Sequence, residues 1–403
     1  MSRREDSVKI CFLSSARYGE PLDTTNEKKF LALKSLGELF VVGFSKDFRP
    51  RRFTEHARFY LLPKLPIPIL RYAEIFMVGS PLVLWLIFRH HVQVLVAQSP
   101  YEGFTAACAK KIAGWLGKRV VLVVESHGDF QESLFLYRRV LLQKTYRFLM
   151  RFVASFSLRH ADLLRAVSNS TKEQLERQSP GKQIVRFPAW TDIEVFRQVE
   201  MNGEKNSSQS ILYAGVLSPL KGVHHLLNAF VCLSKEFPQA RLLLVEHEEN
   251  KDYAAELKAQ IKRSDLDGRV QFLGVVLQEE LAVSMRKACV FALPSALEGL
   301  PRVVIEAMAT GTPVIGSNVG GIPEIVEDGT TGFLVHPGDE TALTERIRWV
   351  LKNPEKAREM GARARGFAEK IFSTDIYIGG YRQILEVAQG LSAEEDDHAP
   401  STL

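Results

Sequence analysis

SALEGLPRVVIEAMATGTPVIGSNVGGIPEIV, residues 295–326, is a largely apolar stretch punctuated by glycine and carrying three glutamates, two of which, Glu298 and Glu306, stand eight positions apart. Pro301 suits the first helical position, where its missing N–H costs nothing and its fixed φ helps. PRVVIEAMAT then reads as a short helix that Gly311 stops in a left-handed turn. TPVIGS is a short β-branched run of the kind that forms a strand buried on both faces. Gly320 and Gly321 follow, and IPEIVED opens another helix with Pro323 in its first turn. With VFALPS upstream, the order is strand, loop, helix, strand, glycines, helix. That alternation predicts an α/β fold with a parallel sheet and helices on its faces.

Ligands of such sheets bind beyond the carboxyl ends of the strands, where both Glu298 and the glycine pair fall. Glu298 sits in the loop before the helix, whereas Glu306 lies about 7 to 8 Å along the helix axis from Pro301. The two carboxylates need not form one acid–base pair on a single bond. They suit separate hydroxyl groups of one elongated ligand. The glycines let backbone N–H groups approach closely, and the next helix N-terminus favours an anion. A nucleoside diphosphate sugar has that shape: polyol ends and a negative middle.

A plainer reading stands beside it. Glu306 pairs with Arg302 four positions earlier as a solvated helix residue, and Glu298 is a loop charge near a helix dipole. Yet the helix is otherwise Val, Val, Ile, Ala, Met and Ala, so Glu306 is expected to be buried and to need a partner.

The segment EGLPRVVIEAMATGTPVIGSNVGGIPEIVEDGTTGFLV closely resembles the donor-site signature of the retaining glycosyltransferases of family 4, with its glutamate, seven residues, glutamate spacing. The match runs without a gap over about residues 270–339 and extends more weakly to ILYAGVLSPLKGVHHLLNAF and the rest of the chain. The resemblance implies the GT-B fold: two Rossmann-like domains, each with a parallel sheet, facing across a cleft. It implies a donor site in the second domain formed by Gly215, Lys221, Glu298, Gly299, Leu300, Arg302, Glu306, Gly320 and Gly321. Glu306 would hold the ribose hydroxyls, Glu298 the sugar hydroxyls, and Lys221 the diphosphate. His127, just past the strand in VVLVVESHGDF, would contact the transferred sugar from the first domain; His127, Glu298 and Lys221 form the expected catalytic set. The donor is a UDP- or GDP-linked sugar, and no essential metal is expected.

Two departures matter. The family usually has an arginine just after the first glycine of the GVLSPLKG turn; this chain has Val216. The family commonly has a glycine turn after the strand LLLVE; this chain has Glu246, His247, Glu248 and Glu249. Both favour an alternative reading as a non-catalytic relative that binds without transferring. A nucleotide-sugar epimerase shares the fold but is disfavoured by the glutamate spacing. Asp265-Leu-Asp267 matches a metal-binding D-x-D only superficially, since it lies in a helix-to-strand turn with Gly268.

The 403 residues suffice for two or three domains, with ordinary apolar and charged fractions of 46% and 25%. The four cysteines are scattered, which suits a reducing cytoplasm. The N-terminal apolar run is too short for a signal peptide. Charge is uneven: residues 1–200 carry a balance of +12 and residues 201–403 one of −7. The apolar run 75–88 is short for a bilayer span of ~20 residues. LFLYRRVLLQKTYRFLMRFVASFSLRH carries Arg138, Arg139, Lys144, Arg147 and Arg151 among Leu and Phe, with no acid between 134 and 160. It is read as a basic amphipathic surface for peripheral contact with an anionic membrane, the alternative being a core helix with a basic solvent face. The expected partners are the donor and a saccharide or lipid-linked acceptor, not a nucleic acid.

The polar stretch 201–210 is the expected linker between an acceptor-side domain, 1–200, and a donor domain, 211–372. Residues 373–391 are expected to form a helix returning to the first domain, and 392–403 a disordered tail.

Overall fold

The computed structural model describes residues 7–63, 65, 68–128, 143–199, 209–247 and 250–397. The chain divides into two units: Met1–Trp190 with Thr374–Leu403, and Thr191–Ser373.

The first unit holds β1 (Lys9–Tyr18), β2 (Glu38–Ser45), β3 (Arg51–Glu55), β4 (Ala57–Leu62), β5 (Val94–Ala97), β6 (Val121–Ser126), β7 (Leu163–Ala166) and β8 (Ile184–Arg186). They form one sheet in the order β3-β4-β2-β1-β5-β6-β7-β8, parallel except for the β3–β4 hairpin. β5 and β6 are buried at every position, as short runs rich in Val and Leu must be when helices cover both faces. One face is covered by α1 (Thr24–Leu33) and the other by α2 (Pro68–Met77), α3 (Gly79–His90), α4 (Pro100–Trp115) and α5 (Gln143–His160). After β7 comes α6 (Asn169–Gln178), started by the Ser168 capping box.

The second unit opens with α7 (Glu194–Arg197). Its sheet contains β9 (Ser210–Val216), β10 (Arg241–His247), β11 (Val270–Gly274), β12 (Val290–Leu293), β13 (Val314–Ser317) and β14 (Gly332–Val335). All are parallel, in the order β11-β10-β9-β12-β13-β14. Counted within the unit this is 3-2-1-4-5-6, the doubly wound Rossmann order. Its helices are α8 (Val223–Glu236), α9 (Lys251–Arg263), α10 (Gln278–Lys287), α11 (Arg302–Ala309), α12 (Ile322–Ile325), α13 (Glu340–Lys352) and α14 (Pro354–Ile371). A single core joins Leu212, Phe230, Phe291, Ile305 and Ile347. Two mostly parallel sheets with flanking helices make this an α/β fold.

The last helix, α15 (Thr374–Asp397), belongs to the first unit, where Tyr377, Tyr381 and Ile384 join Ile10, Phe12 and Val41 in one core. It runs six residues into the tail expected to be disordered; 398–403 lie outside the described residues. The units divide after Trp190, ten residues before the expected boundary, because α7 packs on α10 and α11. Of the expected linker, 201–208 lie outside the described residues, and Ser210 already begins β9. Pro301 is the residue before α11, in extended conformation, not its first helical residue. The helix after the glycine pair is a single turn, too short to offer an anion much of a dipole.

Candidate functional site

In the second unit β9 and β12 are neighbours, yet the chain leaves them toward opposite sides of the sheet. The carboxyl ends of such a strand pair are where doubly wound folds bind ligands. A one-turn 3₁₀ segment, Pro219–Lys221, follows β9, and Gly222 closes it at φ +67°. A Cβ on Gly222 would stand 2.1 Å from the Pro294 carbonyl oxygen, so only glycine lets this loop lie on the one after β12. The Ala296 N–H donates to the Leu220 carbonyl at 2.7 Å and ties the two loops together. Lys221 Nζ then reaches Glu298 Oε1 at 2.7 Å, both side chains largely buried.

The loop after β13 joins the same cluster. Gly320 has φ +56°, and a Cβ there would meet the Glu298 carbonyl oxygen at 2.1 Å. The Gly321 N–H donates to the Gly299 carbonyl at 2.5 Å. Lys221, Glu298, Gly299, Gly320 and Gly321 are thus brought together by direct contact. Leu300 is half-buried against the core. Gly215 lies at the end of β9, where a Cβ would stand 2.9 Å from the Tyr213 hydroxyl.

Glu306 is buried in α11 among Val304, Ile305, Ala307 and Met308. The Arg302 guanidinium, half-exposed, lies 3.6 Å from it. Burial pushes the Glu306 carboxyl above the usual range; Arg302 opposes that, and Asp192 adds to it. A buried acid with one long contact to a half-exposed arginine is suited to accepting hydroxyl groups from a ligand. Three buried hydroxyls, Ser218, Ser295 and Ser317, follow or end β9, β12 and β13 and have no hydrogen-bond partner among the described residues. Each such group carries a desolvation penalty of about 1–3 kcal/mol. They line up along three adjacent strand ends, beside the loops that carry Lys221 and Glu298.

In the first unit His127 follows β6 directly and is 39% exposed. Its Nε2 lies 2.8 Å from Glu125 Oε2, in a side chain with no exposed surface. The other Glu125 oxygen meets Arg165 Nη1 at 2.8 Å and accepts from the Tyr381 hydroxyl at 2.6 Å. Burial drives the Glu125 carboxyl up, but Arg165, His127 and Tyr381 together outweigh it and hold the carboxyl well below the usual range. An ionised carboxylate only accepts, so the facing His127 nitrogen carries the proton and Nδ1 is left as the acceptor of the neutral ring. Arg165 stacks 3.9 Å from the Phe187 ring centroid and donates to the Pro188 carbonyl at 2.9 Å.

Sequence reasoning passed over Glu125, Arg165 and Tyr381. The available signal was a charged residue inside each of two otherwise apolar strands, VLVVES and LLRA, since such charges require partners.

Of the basic residues expected at a membrane, Lys144, Arg147 and Arg151 lie on α5; Arg138 and Arg139 lie outside the described residues. Glu248 and Glu249 also lie outside them, while Glu246 and His247 end β10. Asp265 adopts φ +53° in the turn between α9 and β11. Among the described residues, Glu27, Glu55 and His56 form the group with metal-ligand proximity, all ligand atoms within 4.8 Å. One Glu55 oxygen already accepts from the Leu22 N–H, and the group lies in the other unit from Glu298.

Two family models match adjoining parts of the chain: Glycosyltransferase Family 4 over residues 35–195 and Glycosyl transferases group 1 over residues 195–367. N-acetyl-alpha-D-glucosaminyl L-malate synthase of Bacillus anthracis is 29% identical over 286 residues, 69% of this chain and 71% of that protein. Among solved structures, the sucrose-phosphate synthase of Thermosynechococcus elongatus superposes with a TM-score of 0.76 at 24% identity, covering 96% of this chain and 100% of that one. HepE of Anabaena, in complex with UDP and glucose, gives a TM-score of 0.70 at 23% identity over 95% of this chain and 99% of its own.

Proposed function

The chain belongs to glycosyltransferase family 4 and is a GT-B glycosyltransferase, and we propose that it moves a hexose from a nucleoside diphosphate sugar to an acceptor hydroxyl with retention at the anomeric carbon, in polysaccharide or glycolipid assembly. The observation that carries this reading is the Lys221–Glu298 pair, locked by Gly222 and Gly320 at the ends of β9 and β12. A buried ammonium beside a carboxylate offers one group for a diphosphate and one for sugar hydroxyls. HepE binds UDP, which makes a uridine-linked donor the first to try.

In this reading Glu306 accepts from the ribose hydroxyls and Glu298 from the sugar hydroxyls. Lys221 stabilises the leaving diphosphate, helped by backbone N–H groups of residues 299–300 and 320, without an essential metal. The anomeric C–O bond to phosphate breaks as the acceptor oxygen bonds the same face. The acceptor's proton passes to the departing phosphate oxygen, giving the nucleoside diphosphate. His127, oriented through Nε2 by Glu125, is the first unit's proposed contribution to sugar recognition. The enzyme is proposed to act in the cytoplasm.

The test is a thermal-shift panel of UDP, GDP, ADP and their sugars, with and without magnesium. A ligand at a hundred times its dissociation constant adds ~2.7 kcal/mol of stability. A shift with one nucleotide series that Glu306→Ala abolishes is expected. No shift with any of them would sink the donor assignment, and a shift without turnover would favour the non-catalytic reading, to which Val216 points.

A further inference from the structure

Aromatic rings run in a row across three helices of the first unit. Phe76 of α2 lies 5.1 Å from Phe104 of α4, Phe104 lies 5.2 Å from Phe156 of α5, and Phe156 lies 6.3 Å from Phe152. Hydrophobic rows normally lead into a core. This one emerges at both ends. Next to Phe76, Met77 is 76% exposed; on α5, Phe148 is 74% and Phe152 55% exposed.

The helix α5 explains how both characters share one surface. Met150, Val153, Ala154 and Leu158 are buried against the core, which fixes the opposite face outward. Phe148 lies four residues after Lys144, and Arg151 and Phe152 lie three and four residues after Phe148, so all four fall on that outer face. No carboxylate occurs on the helix, and Lys111 of α4 brings its ammonium within 5.8 Å of the Phe156 ring. The window Ala73–His90, shared between α2 and α3, is apolar and long enough by composition to cross a membrane, but it breaks at Val78 and buries Ile75, Val83, Leu86 and Ile87 in the first unit. It is a core-packed pair of helices whose outer side continues the same surface.

We propose that this face, α5 with the α2–α3 junction, docks on the surface of an anionic phospholipid bilayer, with Phe148 and Phe152 entering the acyl boundary and Lys144 and Arg151 meeting lipid phosphates. The occupant follows from charge. A second copy of this chain would set the same basic helix against itself, and like charges across an interface oppose association. A protein interface of ordinary composition is also depleted in lysine at its core. An anionic membrane surface takes both aromatic and basic groups on one amphipathic helix face. The inference rests on the proposed transfer only in its consequence: a lipid-carried acceptor would meet the enzyme at this surface.

The experiment needs neither donor nor acceptor. Full-length protein is sedimented with vesicles of phosphatidylcholine alone and of phosphatidylcholine mixed with phosphatidylglycerol. Binding is expected only to the mixed vesicles, and salt should weaken it. Lys144→Glu with Arg151→Glu should weaken it about thirtyfold or more. Phe148→Ser with Phe152→Ser should weaken it comparably while leaving the thermal unfolding midpoint unchanged. Should that pair of changes disturb folding, Phe148→Ser alone provides the same reading. Failure of the wild type to bind mixed vesicles, or binding unaffected by either change, overturns the proposal. So does a wild-type dimer that the Phe148→Ser, Phe152→Ser change makes monomeric, which would assign the face to a second copy. A negative result here leaves the nucleotide panel untouched, so the two readings fail separately.

Discussion

Lys221 Nζ lies 2.7 Å from Glu298 Oε1, and the two side chains arrive from loops following different strands, 77 residues apart. Removing either partner leaves a largely buried charge alone. Lys221→Met should therefore destabilise the second unit by about 1–3 kcal/mol, less than a fully buried pair would lose. The double change Lys221→Met, Glu298→Gln should recover most of that stability and none of the transfer activity. Urea denaturation of the four proteins of the cycle, with donor turnover measured alongside, separates the structural from the chemical role. Recovery of turnover in the double variant would refute the assignment.

Glu306→Gln should raise stability at neutral pH while abolishing the nucleotide-induced thermal shift. The folded carboxyl has its pKa raised by burial, so the native state binds more protons than the unfolded chain between the usual glutamate value of ~4.3 and the raised one. Stability consequently falls as pH rises through that window. The amide has no proton to lose, and the variant's unfolding midpoint should lack that decline. A midpoint with the wild-type pH dependence would show that Glu306 is not the group responsible.

Glu125 behaves in the opposite sense. Its carboxyl is held below the usual range by Arg165, His127 and Tyr381 against the effect of burial. Its contribution is fully present above the unfolded value of ~4.3 and is lost as pH falls toward the lowered folded value. Glu125→Gln strands the Arg165 guanidinium, which has 1% side-chain exposure, and should cost about 3–5 kcal/mol at pH 7. The same variant should flatten the acid limb of a pH–stability profile. Tyr381→Phe, which keeps the ion pair, should cost about 1–2 kcal/mol.

Gly320→Ala should damage the site without altering any charge. The added methyl must displace the Glu298 carbonyl, 2.1 Å away, in a left-handed backbone that alanine resists. A loss of about 2 kcal/mol and at least tenfold weaker nucleotide binding is expected, read by the thermal-shift titration. Gly366→Ala, with open space around it in α14, provides the control.

Much of this was legible from residue order. The alternation around 295–326 gave β12, α11 and β13, and the glutamate spacing led to the loops that Lys221 and Glu298 join. The Pro301 and Gly311 signals marked the ends of α11 to within one residue, although Pro301 precedes the helix instead of starting it. The helix after Gly321 proved too short because Val326 turns extended after a single turn. The Glu125 cluster was hidden for a different reason. Its members are 40 and 256 residues apart, and such pairings are fixed only by how sheet and terminal helix come together. The row from Phe76 to Phe152 was hidden likewise, since three helices must be packed before the rings meet.

The attachment of α15 has a consequence for biosynthesis. The first sheet has Ile10, Phe12 and Val41 in a core that α15 completes through Tyr377, Tyr381 and Ile384. At ~5–20 residues per second, synthesis of the stretch from Thr191 to Thr374 takes roughly 10 to 40 s. Throughout that interval the continuous second unit is free to fold, while the first keeps a sticky flank open to water and to chaperones. The first unit is completed only after the second has been made, so a chain interrupted before Thr374 carries an intact second unit and an unsealed first one.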